Sequence, residues 1–323
     1  MTAASTEPID PRTRVGVLEL TIADLDRSLA YYTDAFGLTL LERQGRKACL
    51  GTGEAPLLLL EEEPGARPFP HDRFGYTGLY HFAVLVPSRV DLGRWLSHWL
   101  DIGRELPGQG DHLVSEALYL TDPDGNGIEI YRDRPRESWS WSSGRVQMAA
   151  DPVDIRGMMA EAEEAGGAWN GLPAGTRLGH MHLQVGDIPT AADFYHGILG
   201  FDITATMPSA LFVSAGGYHH HIGMNIWHSR GAEPRPQGVA GLNFFTVNFE
   251  TAEARAAVTA RLAAAGIPTT VTPADEVILE DPWQNTIVLH VGDVSLAQAT
   301  SGLVEAAGSL HERSVPTSQS ENV

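Results

Sequence analysis

Cysteine is almost missing from this chain. Cys49 stands alone among 323 residues, which excludes an intramolecular disulfide and fits a reducing compartment. Positive charge is scarce too, with 22 Lys and Arg against 41 Asp and Glu and a formal net charge of −19. That balance disfavours nucleic acid and anionic membrane surfaces, which call for basic patches. No uninterrupted apolar run approaches membrane-spanning length. Met1 to Arg14 is polar and carries no apolar stretch of the secretory kind. These absences predict a soluble, cytoplasmic protein. The length predicts two domains, and 43% hydrophobic residues suffice to build cores for both.

The stretch from Gly78 to Tyr131 holds the chemistry. One short apolar run, Gly78-Leu79-Tyr80-His81-Phe82-Ala83-Val84, carries a histidine. Another, Gly127-Ile128-Glu129-Ile130-Tyr131, carries a glutamate. Asp122-Pro123-Asp124-Gly125-Asn126-Gly127 just before it is dense turn chemistry, so Glu129 rides the returning strand of a hairpin. A carboxylate buried in a strand needs a partner. A histidine on a neighbouring strand can share a metal with it, and one more ligand would complete a site.

The order of elements repeats. Val15 to Ile22 alternates like a strand, Asp24 to Ser28 caps a helix, Gly37 ends it, and three short strands follow. From Tyr80 the same β-α-β-β-β pattern returns. A shift of 163 then carries Val17 onto His180, Tyr31-Tyr32 onto Phe194-Tyr195, Gly37 onto Gly200 and Gly78-Leu79 onto Gly241-Leu242. Asp122-Pro123 and Asn126 reappear as Asp281-Pro282 and Asn285. The chain therefore holds four β-α-β-β-β modules, near residues 15–63, 78–131, 178–227 and 241–291. Residues 132–172, with interspersed aromatics such as Trp139 and Trp141, are expected to form a packed connector rather than a free linker.

These modules, the strand–Asp–helix–Tyr openings and the Asp-Pro-x-Gly-Asn-x-Ile-Glu ending resemble the vicinal oxygen chelate superfamily of glyoxalases, extradiol dioxygenases and bleomycin and fosfomycin resistance proteins. The resemblance covers roughly Val15 to Val291. It implies an α+β fold in which four modules form two curved, open-barrel sheets. The expected division is a disordered N-terminus at 1–14, domains at 15–135 and 176–293, a connector at 136–175 and a flexible tail at 294–323. Asp111 to Tyr119, Tyr131 to Pro135 and Gly217 to Gly223 look most like two-domain members similar to catechol-2,3-dioxygenases.

In that superfamily metal ligands come from the first and last strands of a module. The four first-strand positions here are Val17, His81, His180 and Phe244; the last-strand positions are Glu129 and Val288. The resemblance thus implies a metal triad of His81, Glu129 and His180. It also implies crossed pairing, module two with three and module one with four, since only that gathers all three ligands in one pocket. Two His and one carboxylate form the facial triad of non-haem Fe(II) oxygen chemistry, which Mn(II) suits nearly as well. His220 is the implied acid/base histidine, with His221 as the fallback. Tyr119 and His112 are implied to hydrogen-bond a bound catecholate and oxygen. His182 is expected to point away from the face of His180.

The implied activity is extradiol cleavage of a small aromatic diol with O2. The oligomeric state stays open, a homo-oligomer included. Three alternatives stand beside this. A glyoxalase-type isomerase resembles a site with two carboxylates, and Leu211 to Trp227 offers no glutamate. A metal-dependent antibiotic resistance protein would share the two-His, one-Glu set, but such proteins are short dimeric chains. A non-catalytic binding protein of the bleomycin-sequestering type would have no ligands.

Overall fold

The computed structural model describes residues 7–70, 75–301 and 303. Module one is β1 (Arg14–Ile22), α1 (Leu25–Ala30, continuing in a wide turn through Ala35), β2 (Thr39–Gln44), β3 (Lys47–Thr52) and β4 (Ala55–Glu62). Module two is β5 (Gly78–Leu85), α2 (Arg89–Asp101), β6 (Gly108–Asp111), β7 (Ser115–Thr121) and β8 (Gly127–Asp133). The connector holds a small hairpin, β9 (Trp141–Ser142) and β10 (Arg145–Val146), and α3 (Ile155–Ala165). Module three is β11 (Arg177–Gln184), α4 (Ile188–Ala191, with a wide turn through Ile198), β12 (Asp202–Met207), β13 (Ala210–Ser214) and β14 (Ile222–Asn225). Module four is β15 (Gly241–Phe249), α5 (Ala252–Ala264), β16 (Thr270–Val271), β17 (Val277–Glu280) and β18 (Thr286–Val291), followed by α6 (Leu296–Ser301).

The strands form two eight-stranded sheets. One runs β16-β17-β18-β15-β1-β4-β3-β2 and unites modules four and one; the other runs β12-β13-β14-β11-β5-β8-β7-β6 and unites modules three and two. The pairing is crossed, as the distribution of ligands implied. Each sheet closes on an antiparallel seam between two first strands, β1 with β15 and β5 with β11.

Local chemistry fixes where each module turns. All four module helices start on a side-chain cap: Asp24, Ser88, Asp187 and Thr251 accept from the N–H of Arg27, Asp91, Thr190 and Ala254. The repeated Asp-Pro turns are pinned alike. Asp122 accepts from the N–H groups of Asp124 and Asn126, from the Asn126 amide and, at 2.8 Å, from the Tyr32 hydroxyl. Asp281 does the same with Trp283, Asn285 and Tyr195, the last also at 2.8 Å. Each tyrosine thereby ties the helix of one module to the turn of the next.

Strand alternation sorts the side chains. Phe82, Val84, Met181 and Leu183 turn to one face and join Leu18, Leu20, Phe245 and Val247 in a core shared by both sheets. Each such side chain, fully buried, stabilises by roughly 1.5–3 kcal/mol. The opposite, concave face of the module two and three sheet holds the functional groups.

The two concave faces differ. In the module one and four sheet, Val17, Phe244 and Val288 pack with Cys49, Leu59 and Ile278, and Ala299 of α6 is buried in the same cluster. Order also starts ahead of β1, correcting the expected disorder of residues 1–14 in its described part. Ile9 is buried and its N–H donates to the Gly200 carbonyl at 2.8 Å, because the apolar side chain finds a core position there. Residues 1–6 and 304–323 lie outside the described residues. No helix among the described residues is long and apolar enough to cross a membrane.

Candidate active site

His81 sits on β5, Glu129 on β8 and His180 on β11, three strands adjacent in one sheet. All three side chains are buried. The Glu129 Oε2 atom lies 3.1 Å from His81 Nε2 and 3.3 Å from His180 Nε2, and the two nitrogens are 3.4 Å apart. A triangle of that size lets one ion contact all three atoms at about 2 Å, the ordinary length of metal–imidazole and metal–carboxylate bonds. Two nitrogens and one carboxylate oxygen on one side leave further coordination positions open toward the cavity. The residues therefore fit a catalytic metal.

The electrostatics favour the ligand forms. Burial pushes His81 and His180 below the ordinary imidazole value, which keeps their lone pairs available. Burial alone would raise the Glu129 carboxyl, but His180 and His81 beside it hold it well below the usual carboxylate range.

Backbone irregularities shape the surroundings. On the β5–β11 seam His81 faces His182 and Leu79 faces Leu183, so Tyr80 is an extra residue in a bulge. Tyr80 and His81, neighbours in sequence, consequently both line the cavity. A second bulge, between the Leu178–Val84 and His180–Ala83 pairs, falls at Gly179. A Cβ there would lie 1.8 Å from the Tyr131 hydroxyl, so glycine is required. Tyr131 in turn shares a 2.7 Å hydrogen bond with the Tyr218 hydroxyl, just before the His219-His220-His221 run. The β1–β15 seam repeats both bulges, at Asn243 and around Gly16.

The cavity beside the triad encloses about 430 Å³. His220 lines it, its ring centroid 4.0 Å from that of His180. His220 Nε2 is buried and has no partner among the described residues. Its tautomer follows from its neighbours. The Asp133 carboxylate accepts from His219 Nε2–H at 3.0 Å. The other His219 nitrogen, Nδ1, is then an acceptor and takes the hydrogen of His220 Nδ1 at 2.8 Å. That leaves His220 Nε2 as a bare base at the cavity wall. Burial, with His180 next, holds this imidazole well below its usual pKa.

Tyr119 and His112 line the same cavity, and Tyr119 pairs directly with Glu129 across β7 and β8. His112 Nδ1–H donates to the Ala149 carbonyl at 2.7 Å, so its Nε2 accepts the Tyr119 hydroxyl at 2.6 Å. Burial, with Glu129 next, pushes the Tyr119 phenol well above its usual pKa, so it stays neutral.

His221 is placed differently. It is not among the residues lining the cavity, and its Nδ1 accepts the Ala215 N–H at 3.1 Å. His182, expected to point away, instead lines the cavity with its ring 4.8 Å from that of His81. Residues two apart on a strand share a face, and His182 is two from His180. Its ring lies flat over Gly223, where a Cβ would come within 3.1 Å of it.

Sequence reasoning missed several further groups. Asp133 and His219 lie within two of the stretches that carry the resemblance, yet no spacing points to a hydrogen bond between them. Met148, Ala149 and Ala150 of the connector form part of the wall, and Phe212 and Trp227 another part. Of the connector tryptophans, Trp139 is buried against Tyr218 and Val146, whereas Trp141 is exposed.

Comparison with known proteins follows the same lines. Residues 14–130 and 177–289 match the model of the Glyoxalase/Bleomycin resistance protein/Dioxygenase superfamily. The chain is 48% identical over 239 residues to the catechol-2,3-dioxygenase of Bacillus subtilis (strain 168), covering 73% of this chain and 82% of that protein. The fold is similar to a solved putative dioxygenase from Bacillus subtilis, with TM-score 0.56, 12% identity, and 91% and 88% of the two chains covered. It is also similar to glyoxalase I from Zea mays, with TM-score 0.51, 17% identity, and 86% and 92% covered. With two matches to the family model, and 48% identity to a member across 73% of its own length, the chain belongs to the glyoxalase/bleomycin resistance/dioxygenase superfamily.

Proposed function

We propose that this protein is an extradiol dioxygenase that opens a catechol ring beside its two hydroxyls with O2. The metal is Fe(II), with Mn(II) as the alternative, held by His81, Glu129 and His180. One observation carries the proposal: His81 and Glu129 of the triad line a cavity whose wall presents a bare imidazole nitrogen and a neutral tyrosine. The similarity to the Bacillus subtilis catechol-2,3-dioxygenase supports it. The two repeats, at 15–135 and 176–293, are read as the domains of this enzyme, with 136–175 between them.

The metal, when bound, supplies the redox chemistry between diol and O2. The protein's own groups do the rest. The cavity holds the ring beside the triad. His220 Nε2 accepts a proton from a substrate hydroxyl, and Asp133 and His219 hold the tautomer that leaves this nitrogen bare. The same atom returns the proton later in the cycle. Tyr119, fixed through His112 by the Ala149 carbonyl, places a neutral phenol beside the reacting oxygens, and its oxygen can accept a hydroxyl hydrogen.

The test is oxygen uptake by anaerobically Fe(II)-loaded protein given catechol, with the coloured ring-opened product followed by absorbance. Uptake that disappears in His180→Ala is the expected result. Wild-type protein that holds its metal and consumes no oxygen with catechol or methylcatechols would overturn the proposal.

A further inference from the structure

The cavity is larger and more apolar than a bare catechol needs. An apolar cavity of about 150 Å³ accepts a benzene ring, whereas this one encloses about 430 Å³. His81 and Glu129 of the triad line it. From there an aromatic wall runs outward: the His182 ring lies 4.8 Å from His81, Tyr80 lies 5.1 Å from His182, and Trp227 lies 5.1 Å from Tyr80. Phe212 faces His182 at 5.6 Å from the other side. Met207 and Trp227, each 45% exposed, mark the opening.

The wall is held in place. The Trp227 indole N–H donates to Ser209 Oγ at 3.1 Å, and its backbone N–H donates to Asn225 Oδ1 at 3.1 Å. The Tyr80–Trp227 contact is edge-to-face, with an interplanar angle of 81°. A fixed aromatic wall of this kind favours a flat or apolar group laid along it. Met207 adapts its shape at the opening.

Charge selects in the same direction. Among the described residues no Lys or Arg lines the cavity, and Glu129 is the one carboxylate that does. Along the aromatic wall a substrate carboxylate would leave water with no described Lys or Arg to pair with it, and the chain's net charge of −19 adds repulsion.

We propose that the site selects uncharged catechols bearing an aryl or other apolar substituent, which lies along Tyr80, Phe212 and Trp227, and rejects catechols bearing a carboxylate. This rests on the dioxygenase function proposed above and assigns its substrate class.

The experiment compares catechol, 3-methylcatechol and 2,3-dihydroxybiphenyl with 2,3-dihydroxybenzoate and 3,4-dihydroxyphenylacetate on Fe(II)-loaded protein. Two quantities are read: kcat/KM from oxygen uptake, and Kd from anaerobic titration of the same protein. The aryl catechol is expected to show a kcat/KM about 100-fold higher, and a Kd about 100-fold lower, than both carboxylated ones. Trp227→Ala should shrink the ratio of 2,3-dihydroxybiphenyl to catechol. Met207→Arg should shift the preference toward 3,4-dihydroxyphenylacetate. Carboxylated catechols used or bound as well as their uncharged counterparts would overturn the inference. So would ratios unmoved in both variants. If no diol is cleaved, the dioxygenase function fails by itself, and the titration still decides the preference.

Discussion

The Nδ1 atoms of His219 and His220 lie 2.8 Å apart, and the Asp133 carboxylate on the far side of His219 decides which of them carries the hydrogen. An amide in place of that carboxylate can donate as well as accept, which admits the opposite tautomer and puts the hydrogen on His220 Nε2. Asp133→Asn should therefore lower kcat by about 10- to 100-fold, and His220→Phe by about 10²–10⁴-fold, with metal content retained in both. Turnover beside metal analysis checks this. Unchanged turnover in His220→Phe would remove it from the mechanism.

Glu129→Ala and His180→Ala should each abolish metal occupancy and activity together, since each removes one of three converging ligands. Val288→Ala, at the equivalent of Glu129 in the other sheet, should spare both. Metal analysis of the purified variants distinguishes them. Equal loss in all three would mean that the two concave faces have been wrongly told apart.

Buried Glu116 carries a stability prediction. Its carboxylate accepts from Arg89 at 2.9 Å and from Arg132, and Arg134 lies 3.4 Å away. Glu116→Ala leaves the buried Arg132 guanidinium without its carboxylate and should cost about 3–5 kcal/mol of unfolding free energy. Urea denaturation measures it; a loss below about 1 kcal/mol would show the group to be solvated.

Glu19 gives a pH dependence. Burial, with Glu61 next, pushes its carboxyl up to about 7. A carboxyl whose folded pKa lies above its unfolded one favours the fold fully below the unfolded value, near 4.5. That contribution is lost as pH rises through 7, up to about 3 kcal/mol. Asp122, pushed by burial to about 6, adds a smaller loss in the same window. The urea midpoint should fall between pH 5 and pH 8, and fall less in Glu19→Gln. Parallel curves for the two proteins would refute the assignment.

Much of this was legible in the sequence, because repetition gave each module a template. His81, Glu129 and His180 stood out against Val17, Phe244 and Val288 at matching positions, and that contrast, with the resemblance that marks those positions as ligand sites, implied which modules share a sheet. The pairing of Asp133 with His219 did not stand out, because it joins β8 to the loop before β14, far apart in the chain. Tyr80 was hidden by its bulge: strict alternation places it on the face opposite His81. His182 was visible through two-residue periodicity, and only the wrong face was assigned to it. The apolar wall needed the fold, since Phe212, Trp227 and Met148 come from separate segments with no shared spacing.

The crossed seam also bears on how the protein is made. Arg14 of β1 pairs with Asn248 of β15, so one of the first strands to be synthesised waits for one of the last. On a ribosome the opening module must persist with its seam edge unpaired until module four emerges. Such long-range pairing is slow, and an exposed edge invites pairing with other chains. During that interval the nascent chain is most open to capture by chaperones, and a stalled or truncated product would present the same edge permanently.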